Sequence, residues 1–278
     1  MGAIDVVAAL VSALLHAGWN AAVKASRNPA QAMTAQMLVS ALLVLPGLWW
    51  TGLPDAAAWP WIAASTLMNV VTVTALLRAY ELVGFGIAYP VGRAVAVVLV
   101  VPLAALVAGD RPGLAALAGV LVIALSLGLL GWDAARDRSL SRQAIAWTLA
   151  AGLGTAAYII CDARGVRAAG SPWAYGFVVS LTNALAMCWR RRHEGSPWKQ
   201  LRGAWRIGAP AAVASATSYL LILWIWSHAP IAPAAALRDT SALFAIVIAV
   251  LWLKEPFTRI RILAVLLAAA AVPLLRLG

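Results

Sequence analysis

The sequence predicts an all-α membrane protein with ten transmembrane helices, arranged as two inverted five-helix repeats around a central cavity. Three observations lead to this fold class. Of the 278 residues, 63% are hydrophobic and only 11% are charged, and the mean hydropathy is +0.88, which excludes an ordinary soluble domain. Long apolar runs recur along the whole chain. The two halves also resemble each other when one is shifted along the other.

The apolar runs are long enough to be membrane spans. A helix needs roughly 20 residues, at about 1.5 Å each, to cross a hydrocarbon core of about 30 Å. The run over 207–237 is too long for one span, and Pro230 and Pro233 indicate where it divides. The first span lacks a basic start and a cleavage site, which favours a retained helix over a signal peptide. The predicted spans are 4–24, 32–51, 59–80, 85–108, 113–132, 143–162, 172–190, 206–228, 231–253 and 258–277.

An internal repeat is indicated by two arginines in apolar spans. Arg93 and Arg238 coincide when the chain is shifted by 145 residues. We therefore expect a first repeat over 1–140 and a second over 141–278. Because five crossings is an odd number, the second repeat must run through the membrane in the opposite sense. Inverted repeats of this kind place their functional site at the repeat interface near the bilayer midplane.

Lysines and arginines are distributed unevenly between the predicted loops. Fifteen follow the odd-numbered spans, and four lie on the other side of the membrane. Because cytoplasmic loops are enriched in Lys and Arg, we expect both termini outside the cytoplasm. The net charge of +11 is therefore attributed to membrane topology and not to a nucleic acid partner.

The two repeat arginines must lie inside the membrane. The segment 94–109 after Arg93 has only 16 residues, about 24 Å of helix, so the span begins before the arginine. The same arithmetic applies to Arg238. A charge near the bilayer centre costs about 2.5–3.5 kcal/mol on insertion scales, so it is expected to face a cavity or a partner. The alternatives are snorkelling and an ion pair with Asp239, although adjacent helical residues point about 100° apart.

Polar side chains accompany both arginines. His16 and Asn20 are four residues apart on one helix face, and Tyr89 lies four residues before Arg93. The structural alternative for His16 and Asn20 is hydrogen bonding between helices, worth about 0.6 kcal/mol on average, and Glu81 also suits an interfacial position. The predicted substrate-binding residues are Arg93, Arg238, His16, Trp19, Asn20, Tyr89 and Ser241, and the candidates for ion pairing or ion coupling are Asp239, Lys24 and Glu81.

Three stretches carry a family resemblance: LLHAGWNAAVKAS in the first span, RAYELVGFGIAYPVGRAVAVVLVVPLAALVAGDRP across the third to fifth, and HAPIAPAAALRDTSALFAIVIAVLWLKEP across the eighth to tenth. With them the chain resembles the EamA-type transporters of the drug/metabolite transporter superfamily over nearly its whole length. The resemblance implies ten helices in two inverted repeats, a central cavity and alternating access. One departure is Asp110, because the family usually has glutamate there, as at Glu255.

The function predicted from these features is secondary active transport, with export favoured, of a small polar or anionic metabolite such as an amino acid, organic acid or phosphonate. Arginine suits bidentate recognition of such anions. Export of drugs or organic cations and lipid flipping stay open as alternatives. An intramembrane transferase is disfavoured, because the sequence shows no paired carboxylates on one helix face and no serine–histidine or metal motif.

The expected location is the inner membrane of a bacterium. The predicted partners are a small-molecule substrate and membrane lipids, without nucleic acid, cofactor or metal. Faces of small residues, such as Ala115 with Gly119, would also permit a homodimer contact.

Overall fold

The structure, a computed structural model, describes residues 1–83, 85–136, 141–244, 247–248 and 258–277. The described residues fold into helices joined by short connections. Glu255 and the later part of the predicted ninth span lie outside the described residues.

The principal helices are labelled in chain order. They are α1 (Ala3–Lys24), α2 (Pro29–Val44), α3 (Trp59–Val83), α4 (Phe85–Leu103), α5 (Leu114–Ala135), α6 (Arg142–Arg167), α7 (Pro172–Arg190), α8 (Pro197–Trp226), α9 (Ile231–Asp239) and α10 (Arg259–Leu277).

Several of these helices begin at a polar residue that caps their first turn. The side chains of Ser141, Ser171 and Ser196 each accept a hydrogen bond from the backbone N–H three residues later. Such caps satisfy N–H groups that have no partner within the helix. Pro172 and Pro197 then occupy the first helical position, where proline's missing N–H costs nothing. The sequence thus sets the starts of α6, α7 and α8 locally.

Seven helical segments of the described chain are long and apolar enough to cross a membrane. They are Ala3–Lys24, Pro29–Thr51, Ala56–Val83, Ala88–Ala108, Leu114–Asp133, Arg142–Arg167 and Pro197–Trp226. α7, α9 and α10 are outside this set, so the count of ten spans stays a prediction.

Several predicted boundaries differ from the helices of the structure, among them the end of α6 and the start of α8. The span predicted to end at residue 162 continues as α6 to Arg167, with Arg164 and Arg167 in its last turn. The span predicted to start at residue 206 belongs to a helix that begins at Pro197 and bends at Ala204, whose φ of −136° is not helical. The first difference places Asp162 inside a helix instead of at its end.

Helices from the first half of the chain pack against helices from the second half in matched pairs. α1 contacts α8 as α3 contacts α6, and α4 contacts α6 as α1 contacts α9. In this comparison the first helix of one half corresponds to the first helix of the other, α1 to α6, and so on to α5 and α10. The contacts α2–α7, α4–α9 and α5–α10 each join two corresponding helices. The matched pairs place α4 and α9, the helices with the two repeat arginines, in contact with each other.

The approach of α4 to α6 depends on glycine. A Cβ atom at Gly152 would lie 2.8 Å from the carbonyl oxygen of Gly92 and 2.7 Å from the Cβ of Val95. Any side chain there would separate the two helices, since such distances lie below van der Waals contact. Gly92 directly precedes Arg93, so this close approach fixes the position of one repeat arginine.

Candidate functional site

A cavity lies between helices of the two halves of the chain. Its volume is about 150 Å³, and its walls come from α1, α2, α3, α4, α6, α7, α8 and α9. Six of the predicted site residues line it: His16, Trp19, Asn20, Tyr89, Arg93 and Arg238. Helices that are far apart in the sequence therefore bring these side chains to one place.

The residues that line the cavity extend along the helix bundle. His16 near the C-terminus of α1 and Tyr89 near the N-terminus of α4 lie towards the end with the predicted basic loops. Asp162 and Tyr219 lie nearer the C-termini of α6 and α8, towards the other end.

Arg93 is held by three side chains. Its Nη1 donates to Asp239 Oδ1 at 2.8 Å, and its Nη2 lies 2.8 Å from Nε2 of His16. The guanidinium also lies over the ring of Tyr89, 5.2 Å from the centroid. Asp239 is buried, and the pair joins α4 of the first half to the end of α9 in the second. The charge of Arg93 is thus matched by a carboxylate of the opposite half.

Arg238 has no such partner. Its side chain is buried, yet among the described residues no carboxylate lies at ion-pair distance, and its Nε has no hydrogen-bond acceptor. Its polar contact is from Nη2 to Nδ1 of His16, at 3.3 Å. Both repeat arginines therefore approach opposite nitrogens of the same imidazole ring.

This shared histidine cannot serve both arginines as an acceptor. A guanidinium only donates hydrogen bonds, and a neutral imidazole has one accepting nitrogen and one N–H. The shorter contact assigns the accepting role to Nε2, towards Arg93. Nδ1 then carries the hydrogen, so two hydrogen-bond donors, the Nδ1–H of His16 and the guanidinium of Arg238, face each other. Within the described residues, Arg238 and the Nδ1–H of His16 are thus two neighbouring donors without a protein acceptor.

The remaining predicted substrate-binding residues surround this pair. The Trp19 ring meets the His16 ring edge to face, with centroids 5.1 Å apart and an interplanar angle of 87°. Tyr89 Oη lies 3.1 Å from Oγ of Ser241, which is fully buried. The Asn20 amide donates to the His16 carbonyl at 2.8 Å, a bond within α1. These contacts fix the rings and the backbone around the imidazole.

Two candidates for ion pairing lie elsewhere. Lys24 is exposed at the end of α1 and does not line the cavity. Glu81 forms an exposed ion pair with Arg78, 2.8 Å apart, near the end of α3. His16, Asn20 and Lys24 share one face of α1, but a shared face does not show how far each residue lies along the helix axis. Lys24 lies beyond the cavity, at the surface.

A second buried aspartate was not predicted from the sequence. Asp162 of α6 lines the cavity and is 1% exposed. It accepts hydrogen bonds from Ser65 and Tyr175 on Oδ1, at 2.5 and 3.1 Å, and from Tyr219 on Oδ2, at 2.9 Å. The available signal was the helical spacing of the α6 residues that line the cavity: Ala151, Thr155, Tyr158 and Asp162.

The end of the bundle at which α6 and α8 terminate is tied by a different ion pair. Arg167 donates to Asp110 at 2.9 Å and to the carbonyl oxygens of Trp226, the last residue of α8, and of Ala229. The second oxygen of Asp110 accepts from the N–H of Ile231, the first residue of α9, at 2.6 Å. One carboxylate and one guanidinium thus join the ends of α6, α8 and α9 away from the cavity.

Metal ligation is not indicated in the part of the chain that the structure describes. There, no group of three or more His, Cys, Asp or Glu side chains is arranged to hold an ion. The polar chemistry of the cavity therefore consists of guanidinium, imidazole, carboxylate, hydroxyl and amide groups.

Comparisons with known proteins agree with the architecture. The model of the EamA-like transporter family matches the chain twice, over residues 3–132 and 142–277. A solved structure titled "Crystal structure of protein" superposes with a TM-score of 0.72 at 14% sequence identity, covering 99% of this chain and 96% of that chain. This similarity shows a shared fold. No curated protein matches the chain.

The two matches of the family model together span nearly all of the chain, and its described part contains seven apolar helices of membrane-crossing length. The chain is therefore an integral membrane protein that belongs to the EamA-like transporter family, within the drug/metabolite transporter superfamily.

Proposed function

We propose that the protein is a secondary active transporter of a small anionic metabolite, an organic acid, amino acid or phosphonate, acting by alternating access in a bacterial inner membrane. The observation that carries this proposal is the buried guanidinium of Arg238, which lines the cavity without an acidic ion-pair partner among the described residues. A buried charge without a hydrogen-bonded ion-pair partner has an unfavourable desolvation free energy. An anion of the substrate would offset that cost.

The donors beside Arg238 suit an anion. The Nδ1–H of His16 and the guanidinium of Arg238 are close neighbours and both need an acceptor. A carboxylate, phosphonate or sulfonate offers several oxygens, and hydrogen bonds between ionised groups are about twice as strong as neutral ones. The cavity of about 150 Å³ suits a small organic anion.

The arrangement of the helices supports alternating access. The family model matches each half of the chain once. The helix contacts that one half makes with the other also have counterparts in which the corresponding helices take each other's places. Inverted repeats alternate access by rocking one repeat against the other around a fixed site. Export is retained as the direction favoured from the sequence.

The proposal is tested by thermal-shift measurements on the purified protein with glutamate, lactate, methylphosphonate, methanesulfonate and tetraphenylphosphonium. We expect at least one anion to raise the unfolding temperature. Arg238→Gln should weaken its binding about tenfold to a hundredfold, because a hydrogen bond to a charged group contributes about 1.5–3 kcal/mol. Counterflow of the same labelled anion in proteoliposomes then measures transport.

Arg164→Gln is the matched control. Arg164, in the last turn of α6, is another arginine of an apolar helix, but it lies over the ring of Trp61, 5.5 Å from the centroid, and does not line the cavity. This variant should keep the anion-dependent shift. A shift with tetraphenylphosphonium only would support cation export instead, and an undiminished anion shift in Arg238→Gln would contradict the proposed site.

A further inference from the structure

The two buried aspartates near the cavity have different partners. Asp239 is paired with the guanidinium of Arg93 at 2.8 Å. Asp162 is bound by hydroxyl groups from three helices, those of Ser65 on α3, Tyr175 on α7 and Tyr219 on α8. Among the described residues, Asp162 has no cationic side chain at ion-pair distance.

A hydroxyl cluster accommodates both protonation states of a carboxyl group. A guanidinium can only donate, so it favours the ionised carboxylate, whereas a hydroxyl can donate or accept. The ionised Asp162 accepts all three hydrogen bonds. If Oδ2 takes up a proton, it can donate to Tyr219, whose hydroxyl group then accepts, while Ser65 continues to donate to Oδ1. The change of charge therefore needs only the rotation of a hydroxyl.

The charges around Asp162 link its protonation to the anion site. Arg238, on α9, interacts electrostatically with Asp162 and lines the same cavity. Arg93, on α4, is compensated by Asp239. The other titratable groups near the carboxyl group of Asp162 are Tyr175, Tyr219 and Cys161, the residue that precedes Asp162 in the chain. With neutral tyrosine, cysteine and histidine, the four charged groups sum to zero when Asp162 is ionised and to one positive charge when it is protonated.

We propose that Asp162 is the site that binds the coupling proton, and that the proton and the anion occupy the cavity together. This inference rests on the proposed transport function. Protonation removes a negative charge that interacts with Arg238, so it strengthens anion binding, and by linkage a bound anion favours the protonated carboxyl. A proton from the aqueous cavity binds Oδ2 and leaves from the same oxygen when the site faces the other side.

The direction of this linkage has a consequence for transport. A monovalent anion that moves together with one proton transfers no net charge. Efflux is then independent of the membrane potential and is driven by the concentration gradients of the metabolite and of the proton. Exchange of a proton against the substrate would require the reverse linkage, in which proton and substrate compete for the carboxyl group.

The linkage is tested by measuring the binding of methanesulfonate and lactate over a range of pH in which neither probe changes its charge. In the wild-type protein we expect affinity to fall with rising pH, by at most about tenfold per pH unit for one linked proton. Asp162→Asn imitates the neutral carboxyl, so it should bind the anion with nearly constant affinity. An unchanged pH slope in this variant, or an affinity that rises with pH in the wild type, would overturn the inference.

A second measurement needs no ligand and separates the two proposals. Infrared spectra of the purified protein, recorded over a pH titration, should show a protonated carboxyl band that is lost in Asp162→Asn and kept in Asp55→Asn, which alters an exposed aspartate outside the cavity. Persistence of the band in Asp162→Asn contradicts the inference. If Asp162→Asn does not fold, Tyr219→Phe should shift the titration of the band, and an unshifted titration counts against it. A titrating band without binding of any anion would leave the proton site intact and refute the proposed substrate class.

Discussion

The two repeat arginines occupy matching positions of the chain but different environments. Arg93 is bound by Asp239 and His16 and lies over the ring of Tyr89. Arg238 contacts the other nitrogen of His16 at 3.3 Å, and its Nε has no acceptor among the described residues. The comparison indicates a structural role for the first arginine and is the basis of the binding role proposed for the second.

The difference arises from one position in each repeat. Asp239 follows Arg238, whereas Ala94 follows Arg93. Adjacent residues of a helix point about 100° apart, so Asp239 cannot face its own neighbour and instead meets Arg93 across the contact of α4 with α9. Ala94 offers nothing in return to Arg238. A single acidic residue in one of two repeats is therefore enough to compensate one arginine and leave the other available.

The largest expected effect on stability is that of Arg93→Gln. Removing one partner of a buried ion pair leaves the other charge uncompensated and costs about 3–5 kcal/mol. Arg238→Gln, the same substitution at the matching position, should leave stability unchanged or raise it, because it removes a charge without an ion-pair partner. Chemical or thermal denaturation in detergent measures both variants.

The double variant Arg93→Gln with Asp239→Asn is the control for this prediction. Removing both charges should recover most of the stability lost in Arg93→Gln, since no uncompensated charge remains. Equal destabilisation by Arg93→Gln and Arg238→Gln would abolish the distinction between the two arginines.

Much of the architecture follows from the sequence. Hydropathy and the shift of 145 residues predict that both arginines lie inside the membrane, and in the structure both line one cavity with His16, Trp19, Asn20 and Tyr89. Such predictions are possible because helical periodicity and the cost of burying a charge are properties of single segments.

The pairing of the charges does not follow from the sequence. The Arg93–Asp239 ion pair depends on how α4 crosses α9, and a segment contains no information about its crossing partner. Asp162 was missed for another reason, since the predicted span ended at that residue while α6 continues to Arg167. The spacing of Thr155, Tyr158 and Asp162 along α6 indicates that they share one helix face. This applies to Asp162 only because α6 continues beyond that residue.

A smaller effect than that of Arg93→Gln is expected from a substitution of His16, the histidine that contacts both arginines. His16→Ala removes the acceptor of Arg93 Nη2, and hydrogen bonds to charged groups contribute about 1.5–3 kcal/mol. We expect a loss of stability in this range together with weaker anion binding, because the Nδ1–H beside Arg238 is also lost. His193→Ala, at an exposed position outside the cavity, should change neither quantity. Weaker binding at full stability would mean that His16 serves only the Arg238 side.

The smallest effect is expected for the aromatic residue that distinguishes the first repeat. Tyr89 lies four residues before Arg93, whereas Ala234 lies four residues before Arg238. Tyr89→Phe keeps the ring below the guanidinium of Arg93 but removes the hydroxyl 3.1 Å from Ser241 Oγ, a neutral hydrogen bond worth about 0.5–1.5 kcal/mol. Ser241→Ala should cost a similar amount, and the double variant little more than either. If Tyr89→Phe instead reduces anion binding as strongly as Arg238→Gln does, the hydroxyl group contacts the substrate, and the first repeat takes part in binding as well as in structure.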